Sequence, residues 1–223
     1  MGEHPIHRRT VRSFVRREGR MTNAQRLALD SLWEKYGLNV TDGLFDSDAP
    51  LFVDIGFGMG ESLLSVAQSH PQHHYIGIEV YRPGVGTLLA ALEKSAITNV
   101  RIYNEEATIV LTQCIMDKSL DGISVFFPDP WPKSRHRKRR LIQPNFVALV
   151  HQKLKPNGLF YLATDWEDYA HQMMKVIKHH GGFYNKAEEG KFSERCDERP
   201  PTKYEKRGER LGYRVYDLCF VRE

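Results

Sequence analysis

Leu51-Phe52-Val53-Asp54-Ile55-Gly56-Phe57-Gly58-Met59-Gly60 is the stretch from which the fold can be read. Leu51–Ile55 is a short apolar run and reads as a buried strand. Glycines then stand at every second position. Glycine enters left-handed backbone conformations freely and lets the chain approach a ligand closely, so the run ends in a tight turn. Glu61–Ser69 has helical spacing. The turn therefore opens a helix whose first amides are free to donate.

Working outward, the same alternation repeats. Strands are expected at Tyr75–Glu79, Val100–Asn104, Gly122–Phe127 and Gly158–Thr164. Helices are expected at Gly84–Ser95, Ala107–Met116, Leu141–Leu154 and Trp166–His179. Strands alternating with helices of this length imply βαβ units and a mostly parallel sheet with helices on both faces, an α/β Rossmann-like fold. After Pro201 the rhythm changes. Tyr213–Val221 reads as a strand with no helix after it, which fits an antiparallel C-terminal edge strand. An amphipathic helix is expected at Asn23–Tyr36, ahead of the alternation. Ligands of such sheets bind beyond the carboxyl ends of the strands, at the switch point.

Acids stand at those ends. A dinucleotide fingerprint needs Gly or Ala three residues after Gly58, where the chain has Glu61. Asp54 instead precedes the first glycine, and a carboxylate there suits an ammonium better than a pyrophosphate. Glu79 follows the second strand and can accept from both hydroxyls of a ribose. Glu105 and Glu106 follow the third and are candidates for an adenine amino group. The competing reading of each acid alone is a solvated surface carboxylate. The set of three resembles the Rossmann-like methyltransferases that depend on S-adenosylmethionine (SAM), and the resemblance implies that cofactor.

The fourth strand ends in Val125-Phe126-Phe127-Pro128-Asp129-Pro130-Trp131-Pro132-Lys133. Phe126–Lys133, followed by a basic cluster, resembles the bacterial tRNA (guanine-N7)-methyltransferases. The resemblance extends over nearly the whole chain, through Arg12–Arg17, Gly56–Gly60, Gly77–Glu79, Pro83–Gly86, Thr164–Trp166 and Thr202–Glu205. It implies a SAM-dependent enzyme forming N7-methylguanosine at position 46 in the variable loop of tRNA. By the same resemblance, Asp54, Gly56, Gly58, Gly60, Glu79, Glu106 and Asp129 hold SAM, and Asp129, between cofactor and guanine, is also the catalytic acid. Lys133, Asp165, Thr202, Lys203, Tyr204 and Glu205 hold the substrate, and Arg135, His136, Arg137, Lys138, Arg139 and Arg140 meet RNA. Three positions depart from the family's pattern. Glu is frequent where Asp54 stands, Asp where Glu106 stands, and His occurs in relatives at Pro132, so an imidazole there is not required.

The chemistry agrees with that assignment. Guanine N7 has a free in-plane lone pair, so no proton has to be removed before methyl transfer. Positioning and charge stabilisation remain. Asp129 fits an orienting or electrostatic role better than that of a base, with a proline on each side to fix its backbone. Lys133–Arg140 holds six Lys or Arg and no acid. Such runs are usually solvated faces, but this one abuts the expected site and suits RNA phosphates. Trp131 can be read either as stacking on a base or as packing in the core.

Composition sets the outer limits. The 223 residues carry a formal net charge of +4, are 41% hydrophobic and contain three cysteines. Neither zinc nor redox spacing occurs, no span is apolar enough for a bilayer, and the histidine pairs have no ligand-spaced partners. A cytoplasmic protein without metal, membrane or obligatory protein partner is expected, as monomer or homodimer. The arginine-rich start (Arg8, Arg9, Arg12, Arg16, Arg17, Arg20) suggests a basic, partly flexible extension over 1–40, with the catalytic domain at 41–223. A methyltransferase acting on small molecules or proteins would have no use for the basic run. A non-catalytic RNA-binding module would have no use for the acids at successive strand ends.

Overall fold

The computed structural model describes residues 19–40, 42, 45, 48–195, 205, 212 and 214–223. The elements run α1 (Asn23–Tyr36), β1 (Leu51–Ile55), α2 (Glu61–Ser69), β2 (His74–Ile78), α3 (Arg82–Lys94), β3 (Val100–Tyr103), α4 (Ala107–Gln113) and β4 (Leu120–Phe126). A 3-10 turn (Ser134–Arg139) comes next. Then follow α5 (Pro144–Lys153), β5 (Leu154–Thr164), α6 (Glu167–His180), β6 (Phe183–Asn185) and β7 (Tyr216–Arg222).

These strands form one sheet in the order β3-β2-β1-β4-β5-β7-β6. The first five are parallel, and β7 runs antiparallel to both β5 and β6. The chain winds outward from β1 through β2 to β3, then returns to β4 on the other side. The switch point therefore lies between β1 and β4, where a crevice must open. β7 is antiparallel as expected, but it is not the edge. β6 pairs along its outer side, with Phe183 opposite Arg222.

Two apolar layers sandwich the sheet. On one face Val53, Ile76, Ile123 and Phe160 meet Val110, Val147, Tyr169 and Met173 of α4, α5 and α6. On the other, Tyr75, Val100 and Ile102 meet Leu29 of α1, Leu63 of α2 and Leu88 of α3. Alternation along each strand sends successive side chains to opposite layers, which is why the strands read as continuous apolar runs.

α1 belongs to this core. It starts with a capping box, in which Thr22 Oγ1 accepts from Gln25 N–H and Gln25 Oε1 accepts from Thr22 N–H. It lies so close to α3 that a Cβ at Gly86 would sit 2.5 Å from the Gln25 carbonyl oxygen. Ala28, Leu29 and Tyr36 are buried. The stretch 1–40, set apart on composition, thus includes a helix packed into the domain. Arg8 to Arg17 lie outside the described residues.

Local chemistry explains the shifted boundaries. α5 begins at Pro144 rather than Leu141, because proline's fixed φ and missing N–H suit the first turn of a helix. β5 begins at Leu154, four residues before the expected start, through an irregularity opposite Leu120 and Gly122. Asn157 sits there at φ +65°. Among the described residues no helix is long and apolar enough to cross a membrane.

Candidate active site

A cleft of about 540 Å³ opens at the switch point, lined by Gly56, Glu79, Glu105, Glu106, Phe127 and Asp129 among others. Four strand ends build it. After β1 the backbone turns through Gly56, Gly58 and Gly60 at φ +75°, +59° and +82°. These values would strain any residue with a Cβ. The turn is tied by Gly56 N–H donating to the Ile78 carbonyl at 2.8 Å, and by Gly60 N–H to that of Phe57 at 2.9 Å. A Cβ at Gly84 would lie 2.0 Å from the Gly58 carbonyl oxygen. α3 can reach this loop only because Gly84 has no side chain.

Glu79, after β2, is buried. Its Oε2 accepts from Gly58 N–H at 2.9 Å. Its Oε1 accepts from the N–H groups of Val80 at 2.7 Å and Tyr81 at 2.9 Å. Burial pushes its carboxyl above the usual range, the three amides oppose this, and Asp129 adds to the rise. After β3, Asn104 Nδ2 donates to the Glu79 carbonyl at 2.7 Å. Glu106 caps α4, and its Oε1 accepts from Thr108 Oγ1 at 2.8 Å.

Asp54 lies elsewhere. It is 7% exposed and is absent from the lining of the large cleft. It borders a separate cavity of about 60 Å³ with Ser62, Ser124 and Tyr161. Ser124 Oγ donates to it at 2.9 Å. Burial raises its carboxyl to about 6, against the pull of Ser124 and with help from Glu79. The structure thus brings Gly56, Glu79, Glu106 and Asp129 together and sets Asp54 beneath them. Ser124, two residues before Phe126, gave no signal in the sequence.

Asp129 is exposed on the cleft wall. The turn carrying it has a residue in left-handed conformation on each side of Pro128-Asp129-Pro130, Phe127 at φ +51° and Trp131 at φ +43°. Such backbone persists where the surroundings hold it, and it gathers at functional sites. Lys133 and Asp165 are exposed just after β4 and β5, and Glu205 is buried. Thr202, Lys203 and Tyr204 lie outside the described residues.

The basic run forms the 3-10 turn. Arg135, Arg137 and Lys138 are exposed, while His136 and Arg139 are half-buried. The Arg139 guanidinium lies 4.9 Å from the Trp131 ring centre, and His136 meets that ring edge-on at 5.9 Å. Trp131 is therefore held by the run, partly exposed, and is not in the core. Burial and the cations around it lower the His136 imidazole. Arg140 corrects the expectation that the whole run meets RNA. It is 2% exposed and turned inward. The run ends its 3-10 turn at Arg139, so Arg140 leaves in a different direction from its neighbours. His74 is half-buried and stacks on Phe45 with ring centres 3.9 Å apart.

The cleft suits a nucleoside cofactor carrying an amino acid. A Cβ at Gly56 or Gly58 would meet no protein atom within 4 Å, so the loop leaves open space at both positions. Carboxylates stand at the ends of β2 and β3. A family model described as "Putative methyltransferase" matches residues 48–218. The solved 16S rRNA methyltransferase KamB shares the fold at TM-score 0.55 and 14% identity, over 92% of this chain and 95% of that one. Fold and site together define a methyltransferase that uses SAM.

Full-length relatives narrow the class. A tRNA (guanine-N(7)-)-methyltransferase of Hydrogenovibrio crunogenus is 48% identical, over 98% of this chain and 93% of its own length. One of Stutzerimonas stutzeri is 51% identical, over 96% and 93%. The chain belongs to the tRNA (guanine-N7)-methyltransferase family.

Proposed function

We propose that the protein methylates N7 of a guanine in tRNA, in the cytoplasm, with Asp129 as the residue facing the reacting base. The observation carrying this reading is the placement of Asp129. It stands on the wall of the cleft that also holds Glu79 and Glu106, and the exposed basic turn begins five residues later.

When bound, SAM supplies a methyl group on a positively charged sulfonium. Glu79 accepts from a ribose hydroxyl with the Oε2 lone pair that its three amide donors leave free. Glu106 accepts from the adenine amino group. Asp54 lies below the loop and acts on the ammonium of the amino-acid end through charge. Ile55, Ile78, Val80, Ala107 and Phe127 keep the reaction zone apolar and exclude water. The Asp129 carboxylate orients the purine and stabilises the positive charge that grows on it as N7 is alkylated. No proton moves to or from Asp129 in this step, because N7 carries none. Lys133 and Asp165, exposed after β4 and β5, hold the substrate, and Arg135, Arg137 and Lys138 hold the RNA backbone.

Incubating the protein with SAM and unmodified tRNA, followed by nuclease digestion and mass spectrometry, tests this. N7-methylguanosine at one position in the variable loop is expected. Methylation of another atom, or of free guanosine in preference to tRNA, would overturn it. Asp129→Asn should lower kcat and leave SAM affinity in place. A shared loss of SAM affinity would move Asp129 to a cofactor role.

A further inference from the structure

We propose that Arg140 is a positioning residue that holds the Pro128-Asp129-Pro130 turn, and with it Asp129, at its place in the cleft. The proposal rests on the reading of Asp129 as the residue facing the base.

Arg140 is buried to 2% exposure, and all three of its guanidinium nitrogens donate. Nε donates to the Pro130 carbonyl at 2.8 Å. Nη1 donates to Gln172 Oε1 at 2.5 Å and Nη2 to Asp168 Oδ2 at 2.6 Å, both on α6. The guanidinium lies 4.7 Å from the ring centre of Tyr169, which is fully buried and also on α6. The Tyr169 hydroxyl accepts in turn from Ile142 N–H at 3.1 Å, and Gln172 Nε2 donates to the Ile142 carbonyl at 3.3 Å. The Arg140 guanidinium is thus fastened to α6 through two nitrogens, while its third reaches the turn at Pro130.

That bond falls where the turn needs support. Phe127 and Trp131 both sit in left-handed backbone, which an aromatic residue adopts only under constraint. Phe127 N–H donates to the Ala163 carbonyl of β5 at 2.8 Å, which anchors the entering side. Arg140 anchors the leaving side. Asp129 lies between the two anchors. A charge buried this deeply is a poor source of stability, because desolvation offsets its attraction to a carboxylate. A planar fork with fixed donor directions is suited instead to setting a backbone in place.

Asp168 adds a link to the RNA face. Its Oδ1 lies 3.0 Å from an Arg137 guanidinium nitrogen, while its Oδ2 takes Arg140. One carboxylate therefore fastens both the exposed turn that meets phosphates and the buried arginine that holds the catalytic turn.

Arg140→Lys in the full chain keeps the charge and removes the fork. We expect kcat to fall by about tenfold to a hundredfold, as for a reacting group displaced by roughly an ångström. KM for tRNA and affinity for S-adenosylhomocysteine should stay near wild type, while the thermal midpoint falls because lysine leaves a buried acceptor without its donor. In an Asp129→Asn background, Arg140→Lys should lower kcat little further, because both changes remove the same contribution. Gln172→Ala, which leaves Arg140 in place with one acceptor fewer, should give a smaller fall in kcat at unchanged KM. It serves as the test should Arg140→Lys fail to fold. An unchanged kcat in the folded variant overturns the proposal. So does a raised tRNA KM at normal kcat, which would return Arg140 to the RNA face. Full multiplicative loss in the Asp129→Asn background overturns it as well. If Asp129→Asn alone leaves kcat intact, the reading of Asp129 fails first and takes the proposal with it.

Discussion

Gly58 donates its backbone N–H to Glu79 Oε2 at 2.9 Å, so the acid at the end of the second strand closes the loop at the end of the first. Two neighbouring strands therefore share one carboxylate. The group read from sequence as a ribose ligand is also a brace for the turn beneath the cofactor.

Glu79→Gln should consequently weaken SAM by about 1–3 kcal/mol, the range for a charge-assisted bond lost from a buried site. The amide places a donor against one of the three backbone N–H groups, so the loop loosens as well. Calorimetry with S-adenosylhomocysteine reads the affinity. An unchanged Kd in a folded variant sinks the assignment.

Gly84→Ala is a probe of the same loop from the other side. The new Cβ would lie 2.0 Å from the Gly58 carbonyl oxygen, which is backbone and cannot rotate away. α3 must then move, or the loop must. A loss of about 1–3 kcal/mol in stability is expected from such overpacking, together with weaker cofactor binding. The denaturation midpoint and the Kd should both shift, and wild-type values for both would show that the helix is free to slide.

Asp54 predicts a pH dependence. Its carboxyl is raised to about 6 by burial, above the ordinary value of 3.8. The unfolded chain therefore ionises it first. Its contribution to stability is full below the ordinary value, is lost as pH rises toward about 6, and is constant above. The loss is about 3 kcal/mol. Asp54→Asn should be the more stable protein at pH 7, with a flatter pH profile in thermal melts. SAM carries an ammonium and favours the ionised form, so wild-type affinity should fall below about pH 6. The Asn variant should bind weakly at every pH. A pH-independent Kd in the wild type would remove Asp54 from cofactor binding.

Neutralising Arg135 and Lys138 together should raise KM for tRNA and flatten its dependence on salt, since fewer counterions are released. SAM affinity should hold, because both side chains are exposed outside the cleft lining. Effects should be similar across tRNA sequences, as phosphate contacts position RNA without reading bases. Normal tRNA kinetics at physiological salt would assign the run to solvent.

The alternation of strands and helices was legible because each parallel strand is buried on both faces and announces itself as an apolar run. The glycine turn and the acids after β2 and β3 were legible because strand ends are the places where such a sheet binds ligands. Phe183–Asn185 was not, since three residues carry no periodicity and the strand exists only through its pairing with β7. Arg140 was hidden for another reason. In a run of six cations every member looks alike, and only the exit from the 3-10 turn decides which one points inward. Asp54 showed its proximity to the site but not its depth, because β1 is flanked by β2 and β4, and β4 sets Ser124, seventy residues away in sequence, beside it.

The interior place of β7 has a consequence for how the sheet assembles. β5 is complete as a strand some fifty residues before its neighbour Tyr216–Arg222 is reached. Until β7 docks, the outer side of Leu159–Thr164 offers unpaired backbone N–H and C=O groups next to an apolar face, a template for pairing with another chain. β6 cannot shield it, because β6 bonds only to β7. The closing step therefore joins segments far apart in sequence and carries the loop-closure entropy of all the chain between them. Among partly folded forms, the one lacking β7 is the species most exposed to self-association. Growth temperature and chain concentration should act on the yield of native protein through that single late pairing.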